Sequence, residues 1–342
     1  MKAVVIHEHG DVDKLRIEEV DTPSPAPDEV LIQVKACALN YLDLWVRKGV
    51  PGQRMPLPMI PGCDIAGVVK KAGSFVKGVK TGDRVVVAPG VSCGRCARCL
   101  NGQDNLCASY GIIGENRDGG CAEYVCVPGV NVMPIPGKLT FDEAAAIPLV
   151  FLTAWHMLMA RARVLPGEDV LVHAAGSGVG SAGIQIAKLL GARVIATAGS
   201  DAKLKKAREL GADETINYRK LDFYDEVKKI TRRQGVDVIL DHIGADTWDR
   251  NIRSLRMGGR LVTCGVTSGF EVATDIRYIF FRRLSVLGST MGTKGELLEI
   301  MRMVERGALK PVIDSVFPLA DIGLAHRRMQ ERKAFGKIVV NP

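Results

Sequence analysis

A chain of 342 residues with 47% apolar and 25% charged side chains exceeds what one hydrophobic core usually organises, so two domains are expected. Its 46 Lys and Arg against 38 Asp and Glu leave a formal charge of +8, but the basic residues are scattered and aromatics reach only 5%. That balance argues against a nucleic-acid surface and for small phosphorylated ligands. The opening MKAVVIHEHG carries charge, unlike a secretory signal, and no uninterrupted apolar run approaches the roughly 20 residues that span a membrane. A cytoplasmic protein with no membrane and no nucleic acid among its partners is therefore expected.

Up to Thr140 the chain is a series of β-like runs punctuated by Gly and Pro: AVVI, EVLIQVKA, IAGVVKKAG, DRVVVAPG and AEYVCVP. Short strands with tight turns suggest a barrel-like all-β unit, with DTPSPAPDEV as an exposed extended connector. Within this part lies VSCGRCARCLNGQDNLC, whose Cys93, Cys96, Cys99 and Cys107 are spaced for tetrahedral ligation of one Zn²⁺. Four protein ligands leave no open position, so such a zinc is structural, one per chain. Disulfides are disfavoured because nothing points to an oxidising compartment. Cys121, Cys126 and Cys264 read as small core residues.

From Thr140 the pattern changes. Thr140 and Glu143 form a capping box ahead of Ala144 to Ile147, Pro148 is expected to interrupt that helix, and a second apolar helix runs from Val150 to Val164 as the hinge. Beyond it, strands DVLVHAA, ARVIATA, VDVILD, GRLVTCG and LSVLGS alternate with helical segments, which predicts a parallel sheet covered on both faces. The final segment, with helices over 295–306 and 320–332 and a closing strand KIVVN, is expected to return to the β unit. The expected division is 1–150, 151–289 and 290–342.

Between the first strand of this unit and its helix stands Ala175 followed by Gly176, Ser177, Gly178, Val179 and Gly180. Small residues there let the backbone approach a pyrophosphate, whose charge meets the free N–H groups of the helix. The next strand ends in Ala198, Gly199 and Ser200, where an acid would favour NADH by accepting from the ribose hydroxyls. No acid stands there; Ser200, Lys203, Tyr218 and Arg219 suit a 2′-phosphate, while Asp201 opposes it. NADPH is expected over NADH.

The motifs ALNYLDLWVRKG, CGRCARC, AAIPLVFLTAWHML, AAGSGVG, ATAGS, GADETINY, LGSTM and FGKIVV together resemble the zinc-containing medium-chain dehydrogenase/reductase superfamily, closest to its zinc-binding alcohol dehydrogenase and quinone oxidoreductase-like members. The resemblance covers the whole chain. It implies an α/β protein: a GroES-like β-barrel catalytic domain with a zinc lobe over 90–110, a Rossmann doubly wound parallel sheet for the cofactor, a cleft between them, and a homodimer or homotetramer. It also carries over cofactor contacts: Thr153, His242, Ile243 and Gly244, then Cys264, Gly265 and Val266, then Gly288, Ser289, Thr290 and Met291, with Lys337 meeting the pyrophosphate.

Alcohol oxidation in this family uses a second, catalytic zinc, and its ligand positions here hold Asn40, Cys63 and Asp64, with no cysteine in PLVFLTAW and Leu42 in place of the relay hydroxyl. An alternative cage of Cys37, Cys63, Asp64 and His156 is imaginable. Without a metal the expected chemistry is hydride transfer from NAD(P)H to a quinone or a carbonyl-conjugated alkene. Asn40 and Tyr41 then polarise the acceptor oxygen and Tyr41 supplies a proton, unless Asn40 only satisfies backbone at a strand end. Asp43 is a third catalytic candidate, or a loop anchor to Arg47. The alternative functions are a zinc-dependent alcohol dehydrogenase with an altered catalytic site and a non-enzymatic NADPH sensor. Arg277, Arg282 and Arg283 are candidates for a CoA phosphate.

Overall fold

The computed structural model describes residues 1–52 and 55–342, and its contacts divide them into two units: 1–149 with 293–342, and 150–292.

The first unit is organised by one long strand, Glu29–Leu39, whose alternating sequence EVLIQVKACAL buries every second side chain in its first half and nearly all of them at its end. It pairs antiparallel with Asp64–Ala72, with Tyr124–Pro128 and, at its C-terminal end, with Lys337–Asn341. Arg84–Val87 and Val132–Pro134 extend the sheet on one side and Ile313–Pro318 on the other. Ile32, Val34, Leu39, Ile65, Val85, Val125, Val127, Ile338 and Val340 share the core. The register matters for the site. Ala38 lies opposite Asp64 and Leu39 opposite Ile338, so the residue after the strand, Asn40, emerges beside Asp64 and Lys337.

The second unit is a six-stranded sheet, all parallel, in the order Glu214–Asn217, Arg193–Ala198, Asp169–Val172, Val236–Asp241, Leu255–Thr263, Ser285–Gly288. The order reverses beside its first strand, the doubly wound arrangement that leaves a crevice at the strands' carboxyl ends. The edge strand Glu214–Asn217 adds to the five that periodicity picks out; it is four residues long with only its last two buried, so it carries almost no apolar signal.

The helix Phe141–Ala145 ends before Pro148, as expected, and Pro148 itself opens the next helix, Pro148–Trp155, since a first-turn proline lacks only an N–H that has no partner there. The Thr140–Glu143 capping box is present on Phe141–Ala145. The helix Pro148–Trp155 closes in a π-helical segment, His156–Arg161. By length and composition Phe141–Arg161 is apolar enough to cross a membrane, yet 72% of its most apolar window is buried, as in a core helix.

Candidate functional site

In the first unit, Tyr41–Lys48 forms a helix directly after the long strand, and its first turn builds a compact polar cluster. Asp43 is 1% exposed and accepts from the amides of Asn40 at 2.6 Å and Gly62 at 3.0 Å. It therefore ties the helix start to the segment carrying Cys63 and Asp64. Burial pushes its carboxyl up to about 6. The anchor partner expected in Arg47 is replaced by these amides. Arg47, although one helical turn away on the same face, instead contacts Asp11, His326 and Gln330.

Gly62 adopts φ +100°, and a Cβ there would stand 2.6 Å from the Cys37 sulfur and 2.8 Å from that of Cys121. Only glycine fits this turn. The Cys37 sulfur lies 3.9 Å from Cys121 and so faces the core.

The side chains of Asn40, Cys63, Asp64 and Lys337 meet. Asn40 Nδ2 donates to Asp64 Oδ2 at 2.9 Å and to Cys63 Sγ at 3.3 Å. Lys337 Nζ donates to Asn40 Oδ1 at 2.6 Å and to Asp64 Oδ2 at 2.8 Å. The other Asp64 oxygen accepts from the Leu149 amide at 2.8 Å. All four residues are at most 5% exposed. Two expected site residues take part in this cluster. Asn40, the expected donor to a substrate oxygen, has both ends of its amide engaged inside the protein. Lys337, the expected pyrophosphate contact, has its buried ammonium held against the carboxylate of Asp64. Tyr41 differs from both. It is partly exposed, rests edge-on against Trp45 at 5.5 Å, and among the described residues its hydroxyl makes no hydrogen bond.

The donor set for a second zinc fits poorly. Asn40 offers an amide, Asp64 is paired with an ammonium, and burial pushes the Cys63 thiol well above its ordinary value, away from the thiolate a metal needs. Among the described residues, only Cys93, Cys96, Cys99 and Cys107 gather as a group of three or more His, Cys, Asp or Glu donors.

Those four sulfurs lie within 4.8 Å of one another, with Cys96 and Cys99 at 3.6 Å and Cys93 and Cys99 at 3.9 Å. Zn–S bonds of about 2.3 Å in a tetrahedron place sulfurs roughly 3.8 Å apart, so the residues present fit the ion. The amides of Arg95 and Cys96 point at the Cys93 sulfur and hold its thiol down to about 6, favouring the thiolate. The amides of Cys93 and Ser109 lie 3.5 and 3.4 Å from the Cys107 sulfur. Asp104, inside the lobe, pairs with Lys294 at 2.9 Å and fixes the lobe to the returning chain.

In the second unit, Ser177 caps the helix Gly178–Leu189 by accepting from the Gly180 amide at 2.8 Å, and His242 Nε2 lies 3.0 Å from the same oxygen. Gly265 packs on His242, and Gly244 on Val266. At the end of the second strand, Ser200 caps the next helix by accepting from the Lys203 amide. A Cβ at Gly199 would stand 2.7 Å from the Tyr218 hydroxyl and 3.2 Å from Arg219 Nε, so these side chains cover the space an acid would need. Asp201 is turned away, taken up by Asn217 at 2.7 Å and Lys220 at 2.6 Å. Thr153 and Met291 are buried, and the Ser289 amide donates to Thr263 O at 2.9 Å. Of the basic trio, Arg277 pairs with Asp275 and Arg282 donates to the carbonyls of Arg253 and Leu255.

Residues 26–137 match the family described as alcohol dehydrogenase GroES-like domain, and residues 178–306 match zinc-binding dehydrogenase. Quinone oxidoreductase of Homo sapiens is 31% identical, taking in 99% of this chain and 97% of that protein. A crystal structure titled NAD-dependent alcohol dehydrogenase is 50% identical, with TM-score 0.97 over 100% of both chains. The cobalt- and zinc-bound thermostable alcohol dehydrogenase of Pyrobaculum aerophilum is 37% identical, with TM-score 0.91 over 100% of this chain and 99% of that one.

Proposed function

Since the chain belongs to the zinc-containing medium-chain dehydrogenase/reductase superfamily and is an NAD(P)-dependent oxidoreductase of that type, we propose that it reduces quinones or carbonyl-conjugated alkenes with NADPH, without a catalytic metal, and that its zinc is structural. The observation that carries this reading is the Asn40–Asp64–Lys337 cluster, in which an ammonium and a neutral amide occupy the surroundings of a carboxylate that a second zinc would have to share. The human quinone oxidoreductase relative is in keeping with it. Cytoplasmic location and a homodimeric or homotetrameric state belong to the same proposal, by family resemblance.

Bound NADPH would supply the hydride. The chain's own work is then to hold the acceptor and manage one proton. When a hydride reaches the electron-poor carbon, the displaced electron pair collects on the carbonyl or quinone oxygen, which needs a donor. Tyr41 has the free hydroxyl for this; Asn40 and Lys337 hold the polar floor beneath the strand end, and Asp43 fixes the loop.

The test is NADPH oxidation across quinones, enones and primary alcohols, with metal counted in the same preparation. Turnover of quinones or enones with one zinc per chain is expected. Two metals per chain, with alcohol oxidation lost on chelation, would establish the second reading, favoured by the 50% identical structure titled NAD-dependent alcohol dehydrogenase: an alcohol dehydrogenase with an altered zinc site.

The preference for NADPH rests on Arg219 and Tyr218 over Gly199, with the Asp201 carboxylate already engaged. Replacing Arg219 by Ser removes a charge-assisted partner of the 2′-phosphate and is expected to raise KM for NADPH about tenfold. KM for NADH should stay within about twofold, because no 2′-phosphate is there to lose. Equal changes for both dinucleotides would count against the assignment.

A further inference from the structure

The phosphate-binding turn contains a second link that the proposed cofactor site does not by itself require. The Ser177 oxygen accepts from the Gly180 amide, so one lone pair is used and its own proton remains to be placed. The nearest described acceptor is His242 Nε2 at 3.0 Å. His242 lies directly after the central strand Val236–Asp241, is 8% exposed, and its other ring nitrogen, Nδ1, is buried with no hydrogen-bond partner among the described residues.

We propose that His242 is a positioning residue for the cofactor loop: its imidazole takes the Ser177 proton and thereby holds the Ser177 oxygen on the Gly180 amide. This deepens the proposed dinucleotide site and rests on it. The physical consequence concerns which amides remain open. The first N–H groups of a helix have no intrahelical partner. Ser177 uses that of Gly180 through its side chain and that of Ser181 through its carbonyl, at 2.9 Å. Gly178 and Val179 are left to face a pyrophosphate, at the positive end of the helix. A Ser177 free to rotate would compete for the ligand site or leave Gly180 uncapped.

The ring must be neutral for this, with its proton on Nδ1. Burial pushes the imidazole down to about 4, so it remains neutral at ordinary pH. The surroundings are polar but already satisfied: Asp241 accepts from the Gly244 amide, from Thr247 and from Asn251, and His173 is held between Thr197 and Asn251. None of them competes for Nε2. A role through Ser177 also differs from direct contact with the cofactor, which the sequence reading gave to His242.

The experiment is a double-mutant cycle on the full-length protein, read as the Kd of NADPH by fluorescence quenching. His242→Phe and Ser177→Ala are each expected to weaken binding about tenfold, and the double variant to be no weaker than either single one. His242→Gln, whose amide oxygen still accepts, should restore most of the affinity. Additive losses, or unchanged binding in His242→Phe, would overturn the proposal. If His242→Phe fails to fold, ¹⁵N spectra of histidine in the unaltered protein decide: the Nδ1–H tautomer at His242 is required, and an Nε2–H tautomer refutes it. Wild-type protein that bound neither NADPH nor NADH would remove the dinucleotide site itself, a result distinct from a failed cycle.

Discussion

Lys337→Met is expected to lower the stability of the unit formed by 1–149 and 293–342 by about 3–5 kcal/mol, as loss of one partner from a buried ion pair leaves the other charge uncompensated. The pair is 3% and 0% exposed, so water does not replace the lost ammonium. Asp64 would keep the amides of Asn40 and Leu149, which soften the loss without cancelling the charge. Asn40 would also lose the donor to its Oδ1. Adding Asp64→Asn removes the stranded carboxylate and should recover most of the stability, because a neutral amide beside a thioether carries no Born penalty. Urea unfolding of the three variants and the parent provides the measurement. A single variant as stable as the parent, or a double variant no better than the single, would show that the pair does not lock the site.

Removing the zinc, by chelation or by Cys107→Ser, is expected to lower the melting temperature by about 10 °C, since the ligand set of the lobe gains most of its order from the ion. Cys107 is the buried member of the four, and its sulfur is also approached by the amides of Cys93 and Ser109, so serine there disturbs both metal and turn. Well below the melting temperature, NADPH-dependent turnover per folded molecule should survive. Melting must be compared under one chelator concentration, and a two-unit protein need not unfold in a single step. If turnover vanished in proportion to zinc while the melting curve stayed in place, the metal would belong to the chemistry and the proposed role would fall.

Reading the sequence recovers the β unit, the four-cysteine lobe and the doubly wound sheet because each leaves a local signature. Cysteine spacing, a glycine-rich turn after an apolar strand, and alternating strand and helix all act over short distances. The polar cluster does not. Asn40, Cys63, Asp64 and Lys337 come from three separated strand ends, brought together by the pairing of Glu29–Leu39 with Asp64–Ala72 and Lys337–Asn341. Asn40 alone looks like a substrate donor; only the register shows that its amide is spoken for. Lys337 could have raised suspicion earlier, for an ammonium opening the apolar strand KIVVN has to find a carboxylate. Asp201 is a similar case: its place one residue past the discriminating position weakens the expectation of NADPH, and its contact with Lys220, nineteen residues away, is not visible in the sequence.

Lys337–Asn341 sits between Ile313–Pro318 and Glu29–Leu39, inside the sheet and not at its margin. During synthesis the segment 150–292 leaves the ribosome as one continuous stretch holding all six strands of its own sheet, and can fold while translation continues. Its neighbour cannot close until Lys337 and the residues after it have emerged, so Asp64 waits for its cation while the nascent N-terminal strands stand with an open edge. A stop codon just before Lys337 would leave the parallel-sheet unit whole, joined to a sheet that lacks the strand linking Ile313–Pro318 to Glu29–Leu39.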